Sequence, residues 1–244
     1  MTRSDRLKAL DAAPRPLVTP SLLNCNFAKV GEELRALEAA GTLAVHLDVM
    51  DGHFVPNLSY GAPVIADWRP CTDLPFDAHL MMSEPGRYIN DFIKAGCDEI
   101  LVHIEVLPDP VPLLRKIRDE GCRAGLVLNP PTAIESILPH LGEVDKILVM
   151  SVMPGFGGQA FEPSVLEKVR RLRKERPEMP IVIDGGIKAH NAAEVVAAGV
   201  TQIVAGSAVF RPDGNYAAAL TELVEAARRG LPSGGGTPGS GGSS

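Results

Sequence analysis

The sequence predicts a single parallel (β/α)₈ barrel, also called a TIM barrel, and three observations support this fold class. Short apolar runs that favour strands alternate with helical patterns from about residue 17 to about residue 229. The alternation gives eight strand–helix units, which is more than a doubly wound sheet usually holds at this length. The composition does not shift along these units, so nothing indicates a division into two domains.

The elements follow one another in regular order. The predicted strands are 17–22, 44–50, 76–81, 99–104, 123–128, 146–151, 181–184 and 202–205. The predicted helices are 28–40, 62–68, 85–95, 110–120, 132–138, 163–175, 189–198 and 216–229. Several helices carry the expected end signals, such as Gly41, Gly96 and Gly199 after the last turn, and Pro85 and Pro163 in the first turn.

Composition and charge limit the possible partners. The chain is 45% hydrophobic with a net charge of −6, which argues against binding to nucleic acid or to an anionic membrane. We find no apolar run of membrane length, and residues 1–16 are charged and lack a signal-peptide core. The four cysteines form no C-x-x-C pair, so reduced thiols are expected. We therefore expect a soluble, cytoplasmic protein.

The last residues have a different composition from the rest. Residues 231–244 are nearly all Gly, Ser and Pro, and such a segment cannot bury enough apolar surface to become ordered. The sequence therefore predicts a barrel catalytic domain over residues 1–230 and a flexible tail over residues 231–244.

Ionisable side chains cluster where the predicted strands end. The period of two in the second strand places His46, Asp48 and Met50 on one face and apolar residues on the other. His79 lies near the end of the third strand, and Asp184 ends the seventh. Active sites of (β/α)₈ barrels lie at the carboxyl ends of the strands. We therefore expect these side chains to converge on one mouth.

This set is suited to a divalent metal. His46, Asp48, His79 and Asp184 supply two imidazoles and two carboxylates, which suit Zn²⁺, Fe²⁺, Mn²⁺ or Co²⁺. Each histidine taken singly also fits a hydrogen-bonded core position, but their convergence beside carboxylates favours a metal. His103-Ile104-Glu105 repeats the spacing and competes for the same ion. We rank it second, because Glu105 lies where the fourth strand meets its loop.

Three glycine-rich loops follow the last three strands. Residues 154–159 follow the sixth strand, 184–187 the seventh and 205–208 the eighth. In this fold, the loops after strands seven and eight often bind phosphate through backbone N–H groups and a short helix N-terminus. Ser207 would stand at the start of such a helix over residues 208–210. The pattern predicts a phosphate site made by glycine rather than by lysine.

These motifs resemble the ribulose-phosphate 3-epimerase family over nearly the whole chain. The matching blocks are Pro20-Ser21-Leu22-Leu23, His46-x-Asp48-Val49-Met50-Asp51-Gly52-x-Phe54-Val55-Pro56-Asn57, Asp77-x-His79-Leu80-Met81, Met150-Ser151-Val152-x-Pro154-Gly155-Phe156-Gly157-Gly158-Gln159, Asp184-Gly185-Gly186-Ile187 and Ala205-Gly206-Ser207. The resemblance implies a barrel of the ribulose-phosphate-binding type that interconverts D-ribulose 5-phosphate and D-xylulose 5-phosphate, as in the pentose phosphate pathway and the Calvin cycle.

The resemblance also implies roles for individual residues. It assigns one divalent metal per subunit to His46, Asp48, His79 and Asp184, and proton transfer to the two aspartates. It places Ser21 and His79 against the sugar. It puts the phosphate on Gly155, Phe156, Gly157, Gly158, Gly185, Gly186, Gly206 and Ser207. It surrounds the reacting carbon with Met50, Met81 and Met150. A homo-oligomer, either a dimer or a hexamer, is expected on the same ground.

The chemistry explains the need for two carboxylates. Inverting a carbon next to a carbonyl removes a proton from one face and returns one to the other, so two acid/base groups must flank the sugar. Asp48 and Asp184 come from opposite walls of the predicted barrel. The enediolate formed between the two steps carries negative charge, which a metal would stabilise.

Other functions remain open at this point. One is a related barrel enzyme, such as a 3-epimerase of a six-carbon ketose 6-phosphate or an aldose–ketose isomerase. Another is a sugar-phosphate sensor without catalysis. The pair of opposed aspartates argues against the sensor, because binding alone does not require two bases.

Overall fold

The computed structural model describes residues 1–232, so the predicted tail lies outside the described residues from residue 233 onward. Eight parallel strands form one sheet, and the predicted (β/α)₈ barrel is confirmed. The strands are β1 (Leu17–Pro20), β2 (Val45–Met50), β3 (Phe76–Met81), β4 (Glu99–His103), β5 (Arg123–Leu128), β6 (Lys146–Met150), β7 (Ile181–Asp184) and β8 (Gln202–Ala205).

The barrel closes between β1 and β2 through one parallel bridge. Each of the other seven joints is a hydrogen-bonded ladder, whereas β1 and β2 are joined by a bridge that pairs Ser21, the residue after β1, with His46. Both residues belong to the predicted site. The closure of the barrel therefore brings the first loop directly against the second strand.

Eight α-helices accompany the strands among the described residues. They are α1 (Arg3–Ala12), α2 (Val30–Ala39), α3 (Ala62–Trp68), α4 (Ile89–Lys94), α5 (Val111–Asp119), α6 (Leu166–Glu175), α7 (Ala192–Ala197) and α8 (Tyr216–Arg228). Within residues 1–232, no helix is long and apolar enough to cross a membrane.

The two faces of β2 divide as the period of two predicts. Val45, Leu47 and Val49 are buried in the large hydrophobic core shared by the sheet and the helices. His46 and Asp48 instead contact polar side chains of β3 inside the barrel. All six residues of β2 are buried, so the polar pair is held in a water-poor interior.

The barrel interior is polar near the amino ends of the strands. Lys146 Nζ lies 2.7 Å from Glu99 Oε2 and 3.2 Å from Gln202 Oε1, and all three residues are buried. Leu101 and Leu148, each two residues further along its strand, belong to an apolar interior cluster. The ionisable groups at the carboxyl ends therefore rest on a packed core rather than on a channel.

Helix α1 was not predicted from the sequence. This helix has a capping box in which Thr2 and Asp5 exchange hydrogen bonds, a signal that the sequence contained. Its two buried residues, Arg6 and Leu10, form no regular apolar stripe, so the period was not visible. Arg6 Nη2 lies 2.8 Å from Asp98 Oδ1 immediately before β4, which anchors α1 at the amino end of the barrel.

Two predicted helices were wrong. The segment 132–138 instead forms two 3₁₀ turns, Ile134–Ser136 and Leu138–His140. Pro139 disfavours helical geometry at the preceding residue, and the segment between Pro131 and Pro139 is short. The predicted short helix 208–210 is a single turn, in which the N–H groups of Val209 and Phe210 both donate to the carbonyl oxygen of Gly206.

Asp98 should be important for stability. It is fully buried and accepts hydrogen bonds from Arg6, Arg69 and the Phe76 backbone N–H. Asp98→Asn would leave the buried Arg6 guanidinium without its counter-charge, which should lower the free energy of unfolding by roughly 3–5 kcal/mol in urea denaturation. Glu143→Gln, which breaks the exposed pair with Arg115, is the control and should leave the midpoint nearly unchanged. Equal midpoints for the two variants would contradict this role.

Candidate functional site

Four ionisable side chains from three strands meet inside the barrel. His46 and Asp48 come from β2, His79 from β3 and Asp184 from β7. Asp48 and His79 are register partners on adjacent strands, which places their side chains side by side. Each of the four residues offers one ligand atom, and these atoms lie within 4.8 Å of one another. The set could hold a metal ion.

The two histidines face this cluster with different ring nitrogens. His46 Nε2 lies 3.4 Å from Asp48 Oδ1. His79 Nδ1 lies 3.2 Å from the same oxygen and 3.9 Å from Asp184 Oδ2. Each ring therefore offers only one nitrogen to the cluster.

His46 provides a direct test of whether a metal fits. Its Nε2 is buried and has no hydrogen-bond partner within residues 1–232. A buried polar atom without a partner costs free energy, so its persistence indicates a ligand. With two imidazole nitrogens and two carboxylates, the donor set fits the predicted divalent ions.

The two aspartates differ in their electrostatic surroundings. Burial alone would raise the pKa of Asp48, but the neighbouring His46 imidazole outweighs it and holds that pKa well below its usual range. In Asp184, burial and then the charge of Asp48 raise the pKa to about 7. Asp48 is thus stabilised as an anion, whereas Asp184 is more readily protonated, and this is a useful difference for acid/base chemistry.

Further polar residues contact the ring nitrogens of His46 and His79 that face away from the cluster. His46 Nδ1 lies 3.2 Å from Asp77 Oδ2, and His79 Nε2 lies 2.8 Å from His103 Nε2. Burial lowers the pKa of His103 to about 4. The competing pair His103 and Glu105 is not part of the cluster that could hold a metal. The contact of Asp77 with His46 was not predicted, although the period of two places Asp77 on the same face of β3 as His79.

A cavity opens above the cluster at the mouth of the barrel. Asp48, Asp184 and Ser21 line it. Two further groups of predicted residues also line it: Met50, Met81 and Met150, and Gly155, Phe156, Gly157, Gly158, Gly185, Gly186, Gly206 and Ser207. His46 and His79 are fully buried beneath it. The contact of His79 with a ligand therefore stays a prediction.

The loop after β7 requires glycine at two successive positions. Gly185 and Gly186 have φ angles of +118° and +65°. A Cβ on Gly186 would lie 2.5 Å from the backbone nitrogen of Phe161, so even a methyl group would displace the main chain. Among residues 1–232, the N–H groups of Gly186 and Ser207 donate no hydrogen bond. These amides remain available to an anion.

Two polar side chains at the mouth were missed by the sequence analysis. Lys188 is exposed and lines the same cavity, so the anion site has a cation as well as glycine amides. Asn24 also lines the cavity, and its Oδ1 would lie 2.0 Å from a Cβ built on Gly206. The spacing of motifs indicates neither residue, because both belong to segments that connect a strand to the next helix and whose paths are set by tertiary packing.

Comparison with known proteins identifies the family. The model of the family described as "Ribulose-phosphate 3 epimerase family" matches residues 17–210. This chain belongs to the ribulose-phosphate 3-epimerase family. The resemblance deduced from the sequence blocks is therefore confirmed, and so is the expectation that the protein is an enzyme of this family.

Individual members of the ribulose-phosphate 3-epimerase family agree with this assignment. The ribulose-phosphate 3-epimerase of Synechocystis sp. is 46% identical over 218 residues, covering 87% of this chain and 94% of that protein. The chloroplastic ribulose-5-phosphate-3-epimerase of Arabidopsis thaliana is 45% identical over 235 residues, covering 93% of this chain and 81% of that protein.

A solved structure supports the fold alone. The tryptophan synthase alpha chain of Legionella pneumophila superposes with a TM-score of 0.63 at 15% identity, covering 93% of this chain and 98% of that one. Proteins outside this family therefore share the same barrel fold, so the function of this chain must be argued from its site rather than from its fold.

Proposed function

We propose that this protein inverts C3 of a ketopentose phosphate and thereby interconverts D-ribulose 5-phosphate and D-xylulose 5-phosphate. The observation that carries the proposal is that Asp48 and Asp184, from β2 and β7, line one cavity together with the glycine-rich anion loops. A carboxylate on either side of a bound sugar meets the need for proton transfer on both faces.

The four clustered residues would hold one divalent ion per subunit. The support is the buried nitrogen of His46, which has no hydrogen-bond partner among residues 1–232, and the close approach of two imidazoles and two carboxylates. Zn²⁺, Fe²⁺, Mn²⁺ and Co²⁺ all suit this donor set. When bound, such an ion supplies Lewis-acid stabilisation of the negative charge that develops on the sugar oxygens.

The proton transfers belong to the aspartates. Whichever aspartate faces the C3 hydrogen removes it, and the other returns a proton to the opposite face, so the reaction runs in both directions. Ser21 donates a hydrogen bond to Asp48 and lines the cavity. It would orient that carboxylate and contact the sugar, beside the proposed contact of His79.

The remaining cavity residues position and shield the substrate. The phosphate would rest on the amides of Gly186, Ser207 and the loop 155–158, near Lys188. Met50, Met81 and Met150 would surround the reacting carbon with apolar, adaptable side chains and keep water away from the transferred proton.

The phosphate loop gives a specific prediction. Gly186→Ala should raise the KM for the sugar phosphate by roughly tenfold or more, because a Cβ at φ +65° meets the backbone of Phe161 and displaces the loop. The control is Gly142→Ala, where the added methyl group meets open space. Steady-state kinetics on both variants check this, and an unchanged KM in Gly186→Ala would contradict the placement of the phosphate.

The assembly and the location are proposals as well. We propose a homo-oligomer, either a dimer or a hexamer, that acts in the cytoplasm on a small sugar phosphate without nucleic-acid or membrane partners. The net charge of −6 supports the last point. Light scattering coupled to size-exclusion chromatography would give the number of subunits.

A substrate panel tests the proposed function. The full chain, loaded with metal, should convert D-ribulose 5-phosphate to its C3 epimer, followed by NMR. A six-carbon ketose 6-phosphate should react at least tenfold more slowly by kcat/KM, and a pentose aldose phosphate should not form. Preference for the six-carbon sugar would establish the alternative epimerase, and binding without conversion would establish a sensor.

A further inference from the structure

His79 is held from behind by a second histidine rather than by a carboxylate. His79 Nε2 lies 2.8 Å from His103 Nε2, and the two rings are stacked with centroids 5.0 Å apart. His103 Nδ1 lies 2.9 Å from Glu105 Oε2. Both histidines are fully buried, so water does not replace either contact.

The position of each hydrogen in this chain follows from counting donors and acceptors. Glu105 accepts hydrogen bonds from the Asn129 backbone N–H and the Thr132 hydroxyl, as expected of an ionised carboxylate. His103 must then donate to it from Nδ1. A neutral imidazole has one N–H, so His103 Nε2 is an acceptor. The hydrogen in the 2.8 Å contact therefore belongs to His79 Nε2.

This arrangement leaves His79 Nδ1 with a free lone pair. That nitrogen faces Asp48 and Asp184, at 3.2 and 3.9 Å. We propose that His103 and Glu105 are positioning residues that fix the tautomer and the ring orientation of His79, so that Nδ1 is presented as a metal ligand. The proposal rests on the metal centre of the proposed function.

The alternative tautomer shows why such a device is needed. If the hydrogen moved to His79 Nδ1, it would find a ready acceptor in Asp48 Oδ1, 3.2 Å away. That hydrogen bond would satisfy both groups and block two ligand atoms at once. His103 Nε2 competes with Asp48 as the acceptor of this hydrogen. The contact of His79 with His103 Nε2 is 2.8 Å long, which is shorter than the 3.2 Å contact with Asp48 Oδ1.

The other histidine ligand is held in a different way. His46 Nδ1 lies 3.2 Å from Asp77 Oδ2, which leaves Nε2 to face the cluster. Asp77 is itself close to Lys146, whose Nζ lies 3.5 Å from Oδ2. The two ligands thus present opposite ring nitrogens, one fixed by a carboxylate and one by a neutral ring. Outer contacts of this kind orient metal-bound histidines.

Phe54 packs against the chain of hydrogen bonds formed by His79, His103 and Glu105, which we call the relay. Its ring centroid lies 4.5 Å from that of His103, and Phe54 belongs to the loop that follows β2. The aromatic ring covers the His103 side of the relay and limits its contact with water. The two histidines therefore pair in a buried setting, where a hydrogen bond has more effect on the tautomer than it has in water.

A matched pair of variants separates positioning from packing. His103→Gln keeps an acceptor for His79 and a donor for Glu105, whereas His103→Phe keeps a ring and removes both. The first measurement is the ¹⁵N NMR tautomer of His79 in metal-free protein at a pH where the ring is neutral. We expect Nε2–H in the unmodified chain and in His103→Gln, and a shift toward Nδ1–H in His103→Phe.

The second measurement is Zn²⁺ affinity by competition with a chromogenic chelator. His103→Phe should bind Zn²⁺ roughly 10–100-fold more weakly, and His103→Gln should recover most of the loss. Circular dichroism and thermal midpoints report whether each variant folds. If His103→Phe does not fold, the tautomer of His79 in the unmodified chain still tests the proposal, because that measurement needs no variant.

Two results would overturn the relay. One is a hydrogen on Nδ1 of His79 in the unmodified chain. The other is a folded His103→Phe variant with unchanged tautomer and Zn²⁺ affinity. A failure of the proposed function has a different signature, in which the unmodified chain epimerises nothing and binds no Zn²⁺. In that case the tautomer measurement alone supports or refutes the role of His103.

Discussion

Asp184→Asn should lower kcat for epimerisation by about 10²–10⁴-fold, since an amide can neither remove nor return a proton at C3. The side chain of Asp184 is 18% exposed at the end of β7 and accepts no side-chain hydrogen bond from another described residue, so the fold should survive. The variant should keep its circular dichroism spectrum and bind the phosphate of the substrate. NMR assays of both reaction directions measure the loss.

Asp48→Asn should produce an equal or larger loss with a different pattern. Both variants remove a proposed metal ligand, but Asp48 also contacts Ser21, His46 and His79, so Asp48→Asn should disturb these three side chains as well. Asp67→Asn is the matched control, because Asp67 is exposed on α3 and far from the cluster in the fold. Near-normal turnover by either active-site variant would show that the catalytic pair is misassigned.

Removal of the metal should have the second largest effect. Treatment of the full chain with a chelator should lower turnover by more than about 10²-fold, since the developing negative charge then lacks its Lewis acid. Adding back Zn²⁺, Mn²⁺, Co²⁺ or, without oxygen, Fe²⁺ should restore activity for at least one ion. The same ion should raise the thermal midpoint, because it binds the folded state.

The metal experiment has a clear negative outcome. Elemental analysis should verify that the treated protein holds only a trace of metal. Full turnover by such protein would contradict the metal centre. Loss of activity that no ion restores, together with a changed circular dichroism spectrum, would instead show that the treatment damaged the protein.

The barrel was predictable because its local signals agree with one another. In β2, the alternation of His46 and Asp48 with apolar neighbours matches a strand buried on both faces, and the structure has this arrangement. Eight strand–helix repeats at this chain length then favoured the (β/α)₈ barrel over a doubly wound sheet. The capping box of α1 was also present, but without an apolar stripe it was not distinguished from a charged terminus.

The details of the site were less predictable because they depend on contacts between strands. The sequence predicts that His46 and His79 lie at one end of the barrel, but it does not predict which ring nitrogen each of them presents to the cluster. That choice depends on Asp77 and His103, which come from neighbouring strands. The role of Glu105 likewise depends on the loop after β5, where the expected helix is replaced by two 3₁₀ turns.

The most direct test of the central claim is the fate of the C3 hydrogen. The claim is that two aspartates exchange a proton at C3 through an enediolate. Turnover of D-ribulose 5-phosphate in D₂O should place deuterium at C3 of the D-xylulose 5-phosphate formed, seen by NMR as loss of that proton signal. Epimerised product that keeps its original hydrogen at C3 would contradict the two-aspartate account.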